Sequence, residues 1–205
     1  MQIIKDLQQN TQEWLDARRG KITGSKLKDI VVKRGTGKKM GFYELLASRL
    51  AVDTKEDDGI ERGHALEGEA LDLFEKEQGV KLERGLFCVS DKNPNIALSP
   101  DALIKTKGKY TKAVEVKCLS SARHLQALLE EKIPTDYFLQ VLQYFIVNDD
   151  LETLYLTFYD PRVTVMPIFH KEIPRKNLEE NIKIHTEIQE KELQEVSDII
   201  NKLSF

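Results

Sequence analysis

An aspartate at position 101 follows Ser99-Pro100, and fourteen residues later the strand-like run Ala113-Val114-Glu115-Val116-Lys117-Cys118 carries a glutamate and a lysine two residues apart. Side chains alternate across a strand, so Val114, Val116 and Cys118 share one face and Glu115 and Lys117 the other. The apolar run Ala102-Leu103-Ile104, with a turn through Lys107-Gly108-Lys109, would fold Asp101 back beside Glu115 as a hairpin. Two carboxylates and an ammonium then converge. Carboxylate oxygens are hard ligands suited to Mg²⁺, which keeps several waters and takes one or two protein carboxylates plus phosphate oxygens. A lysine beside such an ion positions water and offsets charge growing on phosphorus. The plainer alternative is a solvated Glu115–Lys117 pair after an ordinary turn, since an isolated E-x-K tripeptide is common by chance. The order Ser-Pro-Asp then Glu-Val-Lys shifts the balance toward chemistry.

Other positions join this set once the elements that would carry them are drawn. Residues 60 to 78 have the period of a long helix, with Leu66, Ala70, Leu73 and Phe74 on one arc and Glu67 at its edge. A carboxylate there is costly unless it is paired or its head reaches water, and a cation would supply the pairing. The acids Glu61, Glu69, Asp72, Glu75 and Glu77 fall on the solvent side. Near the start, a short helix over 11 to 19 carries Trp14 and Leu15 and ends at Arg18-Arg19-Gly20. Thr23 and Ser25 then precede the next periodic run, so Ser25 lies near a helix N-terminus, where free N–H groups and an arginine suit a phosphate. The alternative is an ordinary cap with exposed arginines. A further helix is expected from Thr135 to Val147, with Tyr137, Gln140 and Tyr144 on one face.

These residues, in this order, resemble the PD-(D/E)xK nuclease superfamily. The string Trp14-Leu15-x-x-Arg18-x-Gly20-x-Ile22-Thr23-x-Ser25 resembles the opening motif of the lambda-type phage exonucleases and the YqaJ-like viral recombinases. Arg62-Gly63-x-x-x-Glu67 resembles that family's helix bearing the first metal-site carboxylate, and Tyr137-x-x-Gln140 and Tyr159-Asp160-Pro161-Arg162 resemble later elements of it. The resemblance implies an α/β fold with a mixed central sheet flanked by helices, a restriction-endonuclease-like core. It implies a Mg²⁺-dependent exonuclease, with Mn²⁺ as the alternative ion and two ions per site. Such an enzyme degrades one strand of duplex DNA from its 5′ end and leaves a 3′ overhang for a partner single-strand annealing protein.

Carried over position by position, Glu67, Asp101 and Glu115 would be metal carboxylates, with the Val116 carbonyl as a further ligand and Lys117 assisting the water. Arg18, Ser25, Ser99, Arg123 and Gln140 would hold phosphate groups. Ile60 falls where the family places a wedge that splits the terminal base pair, although an acidic connector precedes it here. A ring-shaped homotrimer is also implied. A related PD-(D/E)xK endonuclease of repair or restriction is the nearest rival, but it would need base-reading elements that are not recognisable here. A non-catalytic DNA-end binder is the rival from a different class.

Composition sets the frame. The length suits one domain, 1 to 205, with 174 to 205 as a C-terminal helical segment. Cys88 and Cys118 are the only cysteines, too few to hold an iron-sulfur cluster, and both sit in apolar runs. That usage, with no leader-like or membrane-length apolar run, gives a cytoplasmic expectation, in a bacterial host cell. The net charge of −3 is unlike a nucleic-acid binder, but its distribution is uneven. Residues 1 to 50 carry eleven Lys or Arg against five Asp or Glu, and residues 51 to 80 carry three against ten, which suits local rather than global grip on a polyanion. A basic loop, Arg34 to Lys39, lacks the spacing of a nucleotide-binding loop. Strands are expected at Gly85 to Ser90, Ile96 to Leu98, Thr153 to Tyr159 and Val163 to Phe169, and helices at 42 to 52, 121 to 132 and from Pro174 onward. The four histidines have no metal-ligand spacing.

Overall fold

The computed structural model describes residues 1–4, 7–31, 42, 45, 61–119, 124, 126–128, 132–161, 163, 164 and 166–203, with side chains from 66 onward in the helix that begins at 61. Ile60 and Arg123 lie outside the described residues. So do the basic loop and most of the 42–52 helix, of which Phe42 and Leu45 are helical and buried.

The central sheet forms from β2 (Glu83–Arg84), β5 (Ala102–Thr106), β6 (Lys109–Cys118), β7 (Thr153–Tyr159) and β8 (Ile168–Pro174), in that spatial order. Strands β5 and β6 are the expected hairpin, turning through Lys107 and Gly108 at φ 49° and 87°. Two consecutive left-handed residues make the tight turn whose twist matches that of the flanking strands, and glycine takes the second position without strain. β6 and β7 are parallel, so a crossover must join them, and α4 (Thr135–Val147) lies on it with the expected bounds. The sheet is therefore mixed, with helices on both faces, as the α/β expectation required.

One face packs under α3 (Glu61–Gln78): Leu71 and Phe74 meet Ala102, Ile104, Val114, Val116 and Tyr155. The other packs under α4, with α2 (Gly24–Ile30) and α5 (Glu179–Leu203) completing the larger core. Each face removes a continuous apolar set from water, at roughly 25 cal/mol per Å². Gln143, buried in α4, donates to the carbonyls of Ile22 at 3.0 Å and Ala97 at 3.3 Å, tying α4 to the N-terminal region. No helix among the described residues is long and apolar enough to cross a membrane.

Several boundaries differ from the sequence expectation. The strands around Phe87 and Ala97 do not extend the central sheet; β3 (Phe87–Val89) and β4 (Ala97–Leu98) pair with β1 (Gln2–Ile4) in a separate antiparallel sheet. The partner of β7 begins at Ile168 rather than Val163. The described residues between them are joined by turn bonds instead, with Val163 N–H on the Asp160 carbonyl and Met166 N–H on that of Val163, and Asp160 N–H closing onto the Pro167 carbonyl. Val163 is buried by that turn, which is why its apolar character read as strand. The ladder runs on to Pro174, opposite Thr153, so the C-terminal helix starts later, after a 3-10 turn at Arg175–Asn177. Glu75 is not simply solvent-facing: it accepts from Leu82 N–H at 2.8 Å and from Arg84 at 3.2 Å, pinning the link between α3 and β2.

Candidate active site

The hairpin brings Asp101 one step beyond the Ala102/Val114 pair, alongside Glu115. Val116 N–H donates to Asp101 Oδ2 at 2.7 Å, so Val116 enters the site through its amide. Glu115 is 3% exposed, which removes the solvated-pair reading. Its Oε1 accepts from Lys117 Nζ at 2.6 Å and from Gln140 Nε2 at 2.5 Å, and its Oε2 accepts from the Tyr144 hydroxyl. A buried carboxylate is tolerable only with this degree of satisfaction. Lys117 is further placed by Tyr137, whose ring centroid lies 5.0 Å from Nζ.

Alternation along β6 explains the division of labour, since Val114 and Val116 turn toward α3 while Glu115 and Lys117 turn toward α4. Glu67 arrives from the other side. It precedes Leu71 by four residues and Phe74 by seven, so it shares their stripe and is carried past the apolar contact toward the C-terminal end of β6. There it lines a cleft of about 140 Å³ with Ser99, Asp101, Gln140, Arg18 and Ser25.

The N-terminal helices supply the cationic wall. Thr11 caps α1 (Gln12–Arg18) by accepting from Trp14 N–H at 3.3 Å, and Arg18 leaves its last turn stacked on Trp14, with the guanidinium carbon 4.1 Å from the ring centroid. Arg18 Nη2 donates to Thr23 Oγ1 at 3.3 Å and to Ser25 Oγ at 3.2 Å. The Thr23 hydroxyl makes no cap bond of its own to α2. Gly24 lets α2 approach: a Cβ there would lie 3.1 Å from Leu98 Cδ1 and 3.3 Å from Gln140 Cγ. Two residues lining the cleft hold buried polar atoms with no hydrogen-bond partner among the described residues, Ser99 Oγ and Trp14 Nε1. Native buried donors are usually satisfied, so a hydroxyl and an indole N–H left open beside an arginine suit an anion.

The electrostatics follow from crowding. Burial first, then the neighbouring Glu115 and Glu67 carboxylates, hold Asp101 well above the ordinary carboxylate range, against the Val116 amide and Lys117. Burial alone would push the Lys117 ammonium down, but Glu115 and Asp101 more than offset it, so Lys117 lies above its usual value. The Tyr144 phenol is raised by burial and then by Glu115 and Asp101. Burial, then Glu67 and Asp101, push the Cys118 thiol to about 11. Three carboxylates thus repel one another at the mouth of one cleft, an arrangement a hard cation relieves, and the donors are of the type Mg²⁺ prefers. Among the described residues, no three His, Cys, Asp or Glu side chains are drawn tightly enough together to form a finished ligand set. Asp101 and Glu115 instead spend their oxygens on protein donors.

The structure brings Asp101, Glu115, Val116, Lys117 and Gln140 into direct contact and gathers Glu67, Arg18, Ser25 and Ser99 around the adjoining cleft. Gln140, expected to hold phosphate, donates to Glu115 here. Two participants are not among the site residues that the sequence suggests. The Tyr144 hydroxyl is one and the Trp14 indole N–H the other; the spacing of Tyr144 from Gln140 was the available signal for the first.

The chain is similar to known proteins at two levels, sequence family and fold. The model of a family described as YqaJ-like viral recombinase domain matches residues 13–151. The chain is similar to the crystal structure of an alkaline exonuclease, LHK-Exo, from Laribacter hongkongensis, with a TM-score of 0.77 at 22% identity over 95% of this chain and 98% of that one. The crystal structure of LHK-Exo in complex with dAMP matches with a TM-score of 0.76 at 22% identity, over the same shares of the two chains. A phage-related exonuclease from Haemophilus somnus 129PT matches with a TM-score of 0.60 at 15% identity, over 90% and 96%. These likenesses carry the fold of the PD-(D/E)xK nucleases. No curated protein matches the chain.

Proposed function

Because this chain belongs to the YqaJ-like viral recombinase family, we propose that it is a Mg²⁺-dependent 5′-to-3′ exonuclease acting on duplex DNA ends. The observation that carries the reading is the buried Glu115–Lys117 pair beside Asp101, opening onto a cleft walled by Arg18 and Ser25. The related structures whose names describe exonucleases support the same reading. Glu67, Asp101, Glu115 and the Val116 carbonyl would hold Mg²⁺, two ions in the full site. When bound, the metal polarises phosphoryl oxygens and lowers the pKa of water.

The chain's own groups do the rest. Lys117, which Glu115 and Asp101 hold above its usual value against burial, orients water and balances phosphoryl charge as a hydrogen-bond donor. Tyr144 and Gln140 fix the Glu115 carboxylate in one orientation. Arg18 and Ser25, with the open Ser99 hydroxyl, receive the 5′-terminal phosphate. Arg123 would join them and Ile60 would act as the wedge. The 3′ single strand left behind serves a partner single-strand annealing protein, and three copies close into a ring.

The test is time-resolved digestion of a linear duplex labelled at either strand end, with and without Mg²⁺. Loss of the 5′ label first, only with metal and only on linear DNA, is the expected result; digestion of a closed circle or 3′-first loss would overturn it. Ends bearing a 5′ phosphate should be digested faster than 5′-hydroxyl ends, and equal rates would remove Arg18 and Ser25 from the phosphate pocket.

A further inference from the structure

At the end of β6 remote from Glu115 and Lys117, the β5–β6 hairpin carries Lys105, Lys107, Lys109 and Lys112 without an intervening acid. Lys109 is paired with Asp150 at 2.6 Å, but among the described residues no carboxylate lies in salt-bridge range of Lys105, Lys107, Lys112 or the adjacent Lys81. Lys81, Lys105 and Lys112 surround a cleft of about 630 Å³ floored by Val80, Ile104 and Thr106. Glu83, the one acid lining it among the described residues, accepts from the Tyr110 hydroxyl at 2.5 Å. Two of the lysines are held over rings rather than trailing into solvent. Lys105 Nζ lies 5.1 Å from the Tyr110 centroid, and Lys112 Nζ lies 5.8 Å from that of Tyr155 and 3.4 Å from its hydroxyl.

A chain with net charge −3 whose described residues place no carboxylate in salt-bridge range of these four ammonium groups at one end of its sheet has local, not global, affinity for a polyanion. The patch lies five to eight residues back along β6 from Lys117, roughly 17–27 Å at about 3.3–3.4 Å per residue. That exceeds the reach of any group in the cleavage site but is within one turn of a duplex, roughly 34–36 Å. We infer that the lysine-bearing β5–β6 hairpin and Lys81 form a second nucleic-acid backbone contact, which grips phosphodiesters several nucleotides away from the cleavage site.

This inference rests on the nuclease reading for its substrate, but its test does not depend on cleavage. Fluorescence anisotropy in EDTA measures binding of a 40-base-pair duplex and of a 40-nucleotide single strand to the full chain and to a Lys105→Glu/Lys107→Glu variant over a range of salt. The variant is expected to bind at least one of the two roughly tenfold more weakly near 0.1 M salt, with the slope of log K against log salt smaller by about 1–2. Loss confined to the duplex marks a contact with DNA ahead of the site, and loss confined to the single strand a contact with the product. A Lys105→Gln/Lys107→Gln variant should fall between the two proteins, with an unchanged melting midpoint. With Mg²⁺ added, KM for the long duplex should rise while kcat stays unchanged. Unaltered affinity and salt slope for both nucleic acids would overturn the inference and leave the patch to an acidic protein surface. Absence of cleavage by the unmodified chain would instead overturn the nuclease reading while leaving the binding result intact.

Discussion

At Val114, Glu115 and Val116 the two faces of β6 are buried to a similar degree and stabilised in opposite ways. Val114 and Val116 are 0% and 7% exposed beneath α3, in a layer where Phe74 meets Tyr155 edge-on at 5.3 Å and His170 at 5.4 Å. That layer gains from every apolar contact it makes. One residue over, Glu115 is 3% exposed beneath α4, where burial alone would be unfavourable. It is tolerated because Lys117, Gln140 and Tyr144 all donate to it. The Val114 and Val116 contacts therefore contribute stability, and at Glu115 the α4 face trades some of its own for a preorganised carboxylate.

The largest test of that contrast pairs two substitutions. Lys117→Ala should lower the rate of duplex digestion by roughly 10²–10⁴-fold. Phe74→Ala should cost about 3–5 kcal/mol of stability, read by denaturant melting, and keep most of the activity per folded molecule at low temperature. An inactive Phe74→Ala that melts normally would break the division. Next comes Asp101→Asn, which should abolish digestion while stabilising the fold at higher pH. The sign follows from Asp101 lying above the ordinary aspartate value of 3.8 in the folded protein. The stability it contributes is full below 3.8 and is lost as pH rises through the raised folded value. Asparagine cannot ionise, so the variant's melting midpoint relative to the parent should grow between acid pH and pH 8.

Tyr144→Phe sharpens the comparison further, removing one donor to Glu115 without a change of shape. A roughly tenfold fall in kcat is expected, with KM little altered, since a hydrogen bond to a charged group contributes about 1.5–3 kcal/mol. An unchanged kcat would relegate the Tyr144 hydroxyl to packing. The smallest effect belongs to Gly24→Ala, whose added methyl must displace Leu98 Cδ1 or Gln140 Cγ by a few tenths of an ångström. A few-fold rise in KM for 5′-phosphorylated ends is the expected reading.

Much of this was legible before the fold was known, because it depends on neighbours in the chain. The hairpin turn at Lys107-Gly108 needs only two local conformations, and the bounds of α4 follow from its first and last turns. The strand after β7 was misplaced by five residues because apolar Val163 looks alike whether a ladder or a turn buries it. The small sheet of β1, β3 and β4 was missed for a related reason: two- and three-residue strands carry almost no period, and Gln2 pairs with Val89 far along the chain.

Alternation along β6 by itself determined that Glu115 and Lys117 share a face, and the order of the acidic and basic motifs came with the chain. Only the tertiary structure decided what covers that face. Tyr144 reaches Glu115 from 29 residues away, and Arg18 lines the cleft only because α1 docks beside it. A repeat of two or of 3.6 residues records which side of an element turns inward, because that is a property of one backbone. Which donor meets a buried carboxylate depends on how elements dock, and no local repeat encodes it.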